Sequence, residues 1–247
     1  MKKIIYILVI IATLSCDNED AGNCFQTAGK IIQEEIDVAD FTKILVNKKI
    51  ELFVNQGVTQ KVVVETGENL LNDISAEVIN NELILTNYNT CNIVRDYGIT
   101  KVHITSPNLT EIRNASELNV TSIGTLTYPK LYLRSTGEKN KFLSVGDWYL
   151  NIDNENVTIW CNGIANFYMN GKTKNLNMDF TDGDSRFEGQ NFKANHINVS
   201  HVTSNDLLIY PIESLKGSIL STGDLLVFNT PPVVDVDELS VGKLVFK

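Results

Sequence analysis

One short turn recurs six times between Asn114 and Phe228, and that recurrence constrains the fold more than any single residue does. The turns are Ala115-Ser116-Glu117, Thr136-Gly137-Glu138, Asn162-Gly163-Ile164, Asp182-Gly183-Asp184, Ser204-Asn205-Asp206 and Thr222-Gly223-Asp224. Their centres lie roughly 18 to 26 residues apart, the period at which each coil of a solenoid covers the apolar face of the next. Gly or Asn holds the centre in five of the six. These residues enter the left-handed backbone region at little cost, which predicts that conformation there. Four positions on, an apolar residue follows five of the turns (Val120, Phe167, Phe187, Ile209, Val227), as expected if each turn feeds a new strand. The pattern predicts an all-β chain: a right-handed parallel β-helix-like solenoid with coils of about 20 residues, preceded by a strand-rich N-terminal part.

That N-terminal part, residues 41–105, reads as strand after strand: Ile44-Leu45-Val46, Ile50 to Val54, Val62-Val63-Val64, Glu82 to Leu85 and Val102-His103-Ile104. Asn55-Gln56-Gly57 and Asn80-Asn81 supply turn chemistry between them. Only residues 68–79 suit a short helix. About one residue in nine is Asn, often between apolar positions as in Leu176-Asn177-Met178. On stacked strands such Asn faces outward and stacks rung on rung, while Leu, Met, Phe and Ile point inward.

The first residues set the location. Met1-Lys2-Lys3, an apolar run from Ile4 to Leu14 and Ser15-Cys16 have the three parts of a secretory signal. About eleven apolar residues are too few for a membrane span of roughly twenty. A cysteine directly after the small residue resembles a bacterial lipobox, in which Cys16 takes the lipid and becomes the mature N-terminus. Thr13 and Leu14 depart from that pattern, which prefers Leu and a small residue there. The acidic run Asp17-Asn18-Glu19-Asp20 reads as a tether, and acids after the lipid cysteine resemble the surface-export signal of Bacteroidetes lipoproteins. The expected division is a signal peptide over residues 1–15, a lipidated tether over 16–36 and one domain over 37–247. The expected place is the outer membrane, facing either the cell exterior or the periplasm.

The formal charge is −9. Removing residues 1–15 takes away Lys2 and Lys3 and no acid, which leaves −11. That charge excludes electrostatic binding to nucleic acid or to anionic lipid, so the lipid must anchor the chain. Of the remaining cysteines, Cys161 follows Val157 and Ile159 at strand alternation and reads as a core residue. Cys24 and Cys91 lie in polar segments, and an exported protein favours pairing them over leaving free thiols.

The chain also resembles the head GIN domain family of autotransporter-adhesin heads, found widely in Bacteroidetes lipoproteins. The resemblance covers about residues 37–246 and rests on the order of degenerate phrases. These are Glu51-Leu52-Phe53-Val54-Asn55-Gln56-Gly57, then Val62-Val63-Val64-Glu65-Thr66-Gly67-Glu68-Asn69-Leu70, then Asn81-Glu82-Leu83-Ile84-Leu85. Ile104-Thr105-Ser106-Pro107-Asn108-Leu109 and Ser221-Thr222-Gly223-Asp224-Leu225 follow. Near the end Asn229-Thr230-Pro231-Pro232 replaces the family's glycine-containing turn. The resemblance implies a β-helical surface lipoprotein, further supports the Cys24–Cys91 pairing, and implies no catalytic residue.

Candidate chemistry is sparse. Asp179, Asp182 and Asp184 beside Arg186 are the nearest approach to a hydrolytic carboxylate cluster, and Asp182-Gly183-Asp184 is equally ordinary turn chemistry. His103, His196 and His201 lack metal-ligand spacing, and no cofactor motif is present. The residue after each turn centre is acidic at Glu117, Glu138, Asp184, Asp206 and Asp224, with Ile164 interrupting. Stacking would align these acids along one corner, and Asp184, Asp206 and Asp224 are the candidates for a calcium site. Alternation sends Tyr132, Tyr149 and Trp160 outward, with Tyr168 and Arg134 nearby, a face suited to a glycan or a protein partner. The expectation is a non-catalytic, lipid-anchored surface protein presenting a binding or adhesion face. The alternative is an extracellular glycan-processing enzyme or carbohydrate-binding module on the same scaffold.

Overall fold

The computed structural model describes residues 24–89, 91–136 and 144–247. The segment expected to be a signal peptide, the expected lipid site Cys16 and the Gly137-Glu138 turn fall outside them. The described strands form a single curled all-β sheet of seventeen members. Its first part contains β1 (Ile31–Glu35), β2 (Lys43–Val46), β3 (Glu51–Gln56), β4 (Lys61–Gly67), β5 (Ile74–Ile79), β6 (Glu82–Asn87) and β7 (Lys101–Ser106). Three pairings here are antiparallel: β1 with β4, β4 with β7, and β5 with β6.

Two expectations for this part need correction. The segment read as a tether through residue 36 is folded from Cys24 onward: Cys24 is disulfide-bonded to Cys91, and β1 runs along β4. Of the short helix expected over residues 68–79, only a 3-10 helix at Glu68–Asp73 forms. Ile74–Ile79 is a strand instead, because Asn80 and Asn81 adopt φ of 52° and 66°. Two consecutive left-handed residues make the hairpin turn whose twist suits paired strands. Ile74, Ala76 and Val78 alternate along β5 and pack on the core.

From β8 (Glu111–Asn114) onward every pairing is parallel. β2 lies between β6 and β8, and β3 lies between β7 and β9 (Val120–Ile123). β10 (Lys130–Ser135) continues from β8, and β11 (Trp148–Cys161) then stacks its first half on β9 and its second half on β10. β12 (Asn166–Phe180), β13 (Arg186–His201) and β14 (Leu207–Ile219) follow, each parallel to the last. β15 (Leu225–Val227) and β16 (Val233–Glu238) cover the two halves of β14, and β17 (Leu244–Phe246) covers β15. Leu150 faces Met169, Met178 faces Val199 and Val199 faces Gly217, offsets of 19, 21 and 18 residues.

Strands this long bend. Along β11 the buried residues are Trp148, Leu150 and Ile152, then Val157, Ile159 and Cys161. Burial switches from even to odd positions between Ile152 and Val157, so the chain turns a corner there while its ladder continues. Inward residues consequently stack by type. Trp148, Phe167, Phe187, Leu207 and Leu225 are in register and fully buried, and the rings of Trp148 and Phe167 stack at 5.4 Å. Burying each such side chain contributes about 1.5–3 kcal/mol. All five apolar residues expected after the turns are fully buried.

The turn centres are a further correction. Gly183 is left-handed, with φ of 83°, but Gly163, Asn205 and Gly223 are not. The need for glycine has a second source: a Cβ on Gly183 would sit 2.0 Å from the Gly163 carbonyl oxygen, and one on Gly223 would sit 2.0 Å from that of Asn205. The turns stack so closely that backbone fills the space a side chain would occupy.

Candidate ligand-binding face

The second halves of β11 to β14, with β10, place outward side chains in rows. One row runs Tyr132, Thr158, Asn177, Asn198 and Lys216; its neighbour runs Arg134, Trp160, Asp179, Ser200 and Ser218. Every second residue faces out because the alternate ones fill the core.

Three of the five expected face residues meet here. The Arg134 guanidinium lies 5.7 Å from the Tyr132 ring centre and 5.0 Å from that of Trp160, within the range of cation–π attraction. Its Nη1 donates to Glu111 Oε1 at 3.0 Å, and Lys43 approaches the same carboxylate at 3.9 Å. Burial pushes the Tyr132 phenol above its usual value, so it stays a neutral donor. Tyr149 and Tyr168 form a separate pair, stacked at 4.8 Å on the other leg of β11 and β12. The corner between Ile152 and Val157 divides the aromatic residues into two sets, which alternation alone does not reveal.

Beside the first set lies a shallow depression of about 410 Å³ lined by Thr158, Asn177, Asp179, Asn198, Ser200 and Ser218, among others. A second, of about 260 Å³, adjoins it through Thr158 and Asn177 and reaches Tyr132, Lys130 and Thr110.

The acidic corner is occupied by the fold's own donors. Asp206 Oδ1 accepts from the Asp224 backbone N–H at 2.9 Å, and Asp224 Oδ1 accepts from that of Lys243 at 2.8 Å. Asp184 Oδ1 accepts from the Ser204 hydroxyl at 2.7 Å, and Arg186 approaches Asp206 at 3.6 Å. Each aspartate therefore ties one turn to the next. Among the described residues no group of three or more His, Cys, Asp or Glu is placed to hold a metal ion. Most of the suspected hydrolytic cluster is similarly engaged: Asp182 Oδ1 accepts from Gly183 N–H at 2.7 Å, and Arg186 bonds Glu188 and Asn205, whereas Asp179 stands apart on the outward row beside Trp160. His103 stacks on Phe53, His196 shares a hydrogen bond of 2.9 Å with Ser214, and His201 is fully buried.

Sequence reasoning missed the loop held by the disulfide. Arg95 donates to the carbonyls of Gln26 and Cys91, each at 2.8 Å, and to Asn89 Oδ1 at 3.0 Å. Lys49 Nζ donates to the Asn89 carbonyl at 2.7 Å. Burial lowers the pKa of both cations. The one available signal was a cluster of Asn and Arg around Cys91. Cys161 is free and buried, as its alternation suggested, and burial raises its thiol pKa.

No helix among the described residues is long and apolar enough to cross a membrane. A family model described as "Putative auto-transporter adhesin, head GIN domain" matches residues 40–231. No curated relative matches the chain. Among solved structures, one titled a "putative adhesin" from Bacteroides fragilis superposes with a TM-score of 0.79 at 19% identity, covering 90% of this chain and 99% of that one. A "putative adhesin" from Parabacteroides merdae gives 0.60 at 16%, covering 89% and 97%. A "putative lipid binding protein" from Parabacteroides distasonis gives 0.61 at 14%, covering 87% and 97%.

Proposed function

The chain belongs to the head GIN domain family of adhesin-type proteins, and from that premise we propose that it is a non-catalytic, lipid-anchored binding protein of the cell surface. In this reading residues 1–15 are the signal, Cys16 carries the lipid in the outer membrane, and residues 37–247 form one domain. The parallel ladders wind as a right-handed β-helix that holds its outer face away from the membrane. The observation that carries the reading is the parallel pairing from β10 to β14, in continuous register along the second halves of β11 to β14, with bulges confined to the first halves and the corner of β12 to β14. It fixes outward side chains in straight rows on a rigid core, a surface made for contact along its length. Two of the three carboxylates nearest to an enzymatic cluster are taken up by the turns, Asp182 within its own and Asp184 by the next, which favours binding over glycan processing.

The test uses the full chain in its own cells. Cys16→Ala should abolish labelling by a fatty-acid analogue and release the protein from the membrane. Protease added to intact cells should remove the wild-type domain, and deleting the protein should reduce attachment of the cells to a coated surface. A protein shielded from protease, or attachment unchanged by the deletion, counts against the surface-binding role. Labelling that persists in Cys16→Ala counts against the anchor.

A further inference from the structure

We propose that the groove running from Tyr132 through Thr158, Asn177 and Asn198 to Ser218 binds an uncharged polysaccharide chain laid along the stacking axis. This deepens the surface-binding reading and rests on it, by naming the ligand class and the residues that take it. The two depressions that make the groove are continuous and cross the five strands β10 to β14. Four steps of about 4.8 Å give a run of roughly 19 Å, enough for several sugar rings, and one rung is close to the length of one pyranose in an extended chain.

The decisive contrast lies between adjacent outward rows. Along the edge of the groove, where Asn156 closes its lining, polar side chains are satisfied within the protein. Asn175 donates to Asn156 Oδ1 at 3.0 Å, Thr173 donates to Asn154 Oδ1 at 2.7 Å, and Asn154 donates to the Tyr128 carbonyl at 3.0 Å. In the groove, the side chains of Thr158, Asn177, Asp179, Asn198, Ser200 and Ser218 make no hydrogen bond to any described residue. Asn177, Asp179 and Asn198 are exposed. The same residue type on the same strands is structural in one row and unengaged in the next.

The chemistry of the unengaged row selects its ligand. Amides and hydroxyls each donate and accept, and neighbouring sugar hydroxyls do the same, so each rung can exchange a pair of hydrogen bonds with one ring. Tyr132 walls one end and brings an aromatic ring to the C–H side of a sugar, and Trp160 stands beside the groove in register with Asp179. Asp179 at one end of the lining is offset by Lys130 at the other, so the groove carries no net charge to draw a sulfated or carboxylated chain, and the formal charge of −9 disfavours nucleic acid. A peptide strand would need a free sheet edge. Here the backbones of β11 to β13 are paired on both sides.

The experiment is affinity electrophoresis of the detergent-solubilised full chain through gels containing β-1,4-glucan, α-mannan or β-galactan, with heparin and denatured collagen as charged and peptide controls. At least one neutral polymer should retard the protein and change its tryptophan fluorescence. That signal would come from Trp160, since Trp148 is fully buried. The double variant Asn177→Ala, Asn198→Ala should bind at least tenfold more weakly at an unchanged melting temperature, because neither side chain bonds to any described residue. Asn154→Ala, in the satisfied row, should lower the melting temperature and leave binding in place. The proposal is overturned if no neutral polymer binds, if the double variant binds as well as wild type, or if only heparin or collagen binds. If cells still attach through the protein while neutral polymers fail, the groove assignment falls and the surface-binding reading stands.

Discussion

The two ends of the sheet are held together in different ways. Up to β7 the chain mixes antiparallel pairs with parallel ones, and its edge is fastened by a disulfide spanning 67 residues. Beyond Glu111 it repeats one operation, adding a parallel rung of inward apolar and outward polar side chains. The N-terminal part depends on particular cross-links, whereas the stack depends on sameness between neighbours. A defect in the stack is therefore felt by the rungs on either side, and a broken cross-link frees a local segment.

The largest effect should follow from Phe187→Ala. Phe187 is fully buried and in register with Phe167 below and Leu207 above, so removing its ring opens a cavity between rungs that cannot collapse without shifting both ladders. Denaturant unfolding should show a loss of about 3–5 kcal/mol. Hydrogen exchange should quicken across β12, β13 and β14 together. Exchange confined to β13 would mean that the rungs are not coupled.

Next in size, Cys24→Ser should destabilise by about 2–4 kcal/mol, the range for closing a loop of this order. Its exchange signature should be the opposite of the first: faster exchange in β1, β4 and the Cys91-to-Thr100 loop, with β12 to β14 still protected. Arg95 bridges Gln26, Asn89 and Cys91, so these contacts should loosen with the disulfide. Equal loss of protection throughout would abolish the distinction between the two ends.

Lowering the pH should separate the ends again, by a smaller margin. Burial holds His201 below its usual value of 6.5, with the charges of Asp206 and Asp224 pulling partly the other way. The unfolded chain thus takes up that proton first. Stability from His201 is complete above about pH 6.5 and is lost as the pH falls below it. At the other end, a hydrogen bond from Gln33, assisted by Lys101 and His103, holds Glu65 below 4.5. Its contribution is present above pH 4.5 and is lost only as the pH falls through its lower folded value. Melting temperatures measured from pH 8 to pH 3 should fall first near pH 6, and His201→Gln should remove that step alone. A first step that survives in His201→Gln would place the sensitive proton elsewhere.

Much of the stack was legible because its signals are local. A turn, an apolar residue four positions on and strict alternation were enough to place Val120, Phe167, Phe187, Ile209 and Val227 in the core and to send Tyr132 and Trp160 outward. The parallel pairing at offsets near 20 followed from the spacing of the turns. Registry between rungs was not legible, since it depends on how each strand bends. Neither Gly nor Pro marks the corner between Ile152 and Val157, so Tyr149 and Trp160 looked like members of one face. The same blindness hid the difference between Asn175, bonded to Asn156, and Asn177, which bonds to no described residue, two residues apart on one strand. At the N-terminal end, β1 carries little local signal, since only one of its five residues is even partly buried. Its evidence is the antiparallel ladder to β4, a contact 28 to 36 residues away in sequence.

The smallest expected effect concerns the acidic corner, where the stack most nearly imitates the specific fastenings of the other end. Asp184, Asp206 and Asp224 lie on consecutive turns, and calcium would take several such oxygens if they converged. Their carboxylates instead each accept a hydrogen bond from the following turn. Asp206→Asn keeps an acceptor at the same place and should change stability by no more than about 0.5 kcal/mol, whereas Asp206→Ala leaves the Asp224 N–H without its partner and should cost about 1 kcal/mol. Melting curves in millimolar calcium and in chelator should coincide for all three proteins, because a cation could bind only by displacing donors already in place. A calcium-dependent rise that disappears in Asp206→Asn would show that the corner opens into a ligand set, and that the stack too relies on a specific fastening.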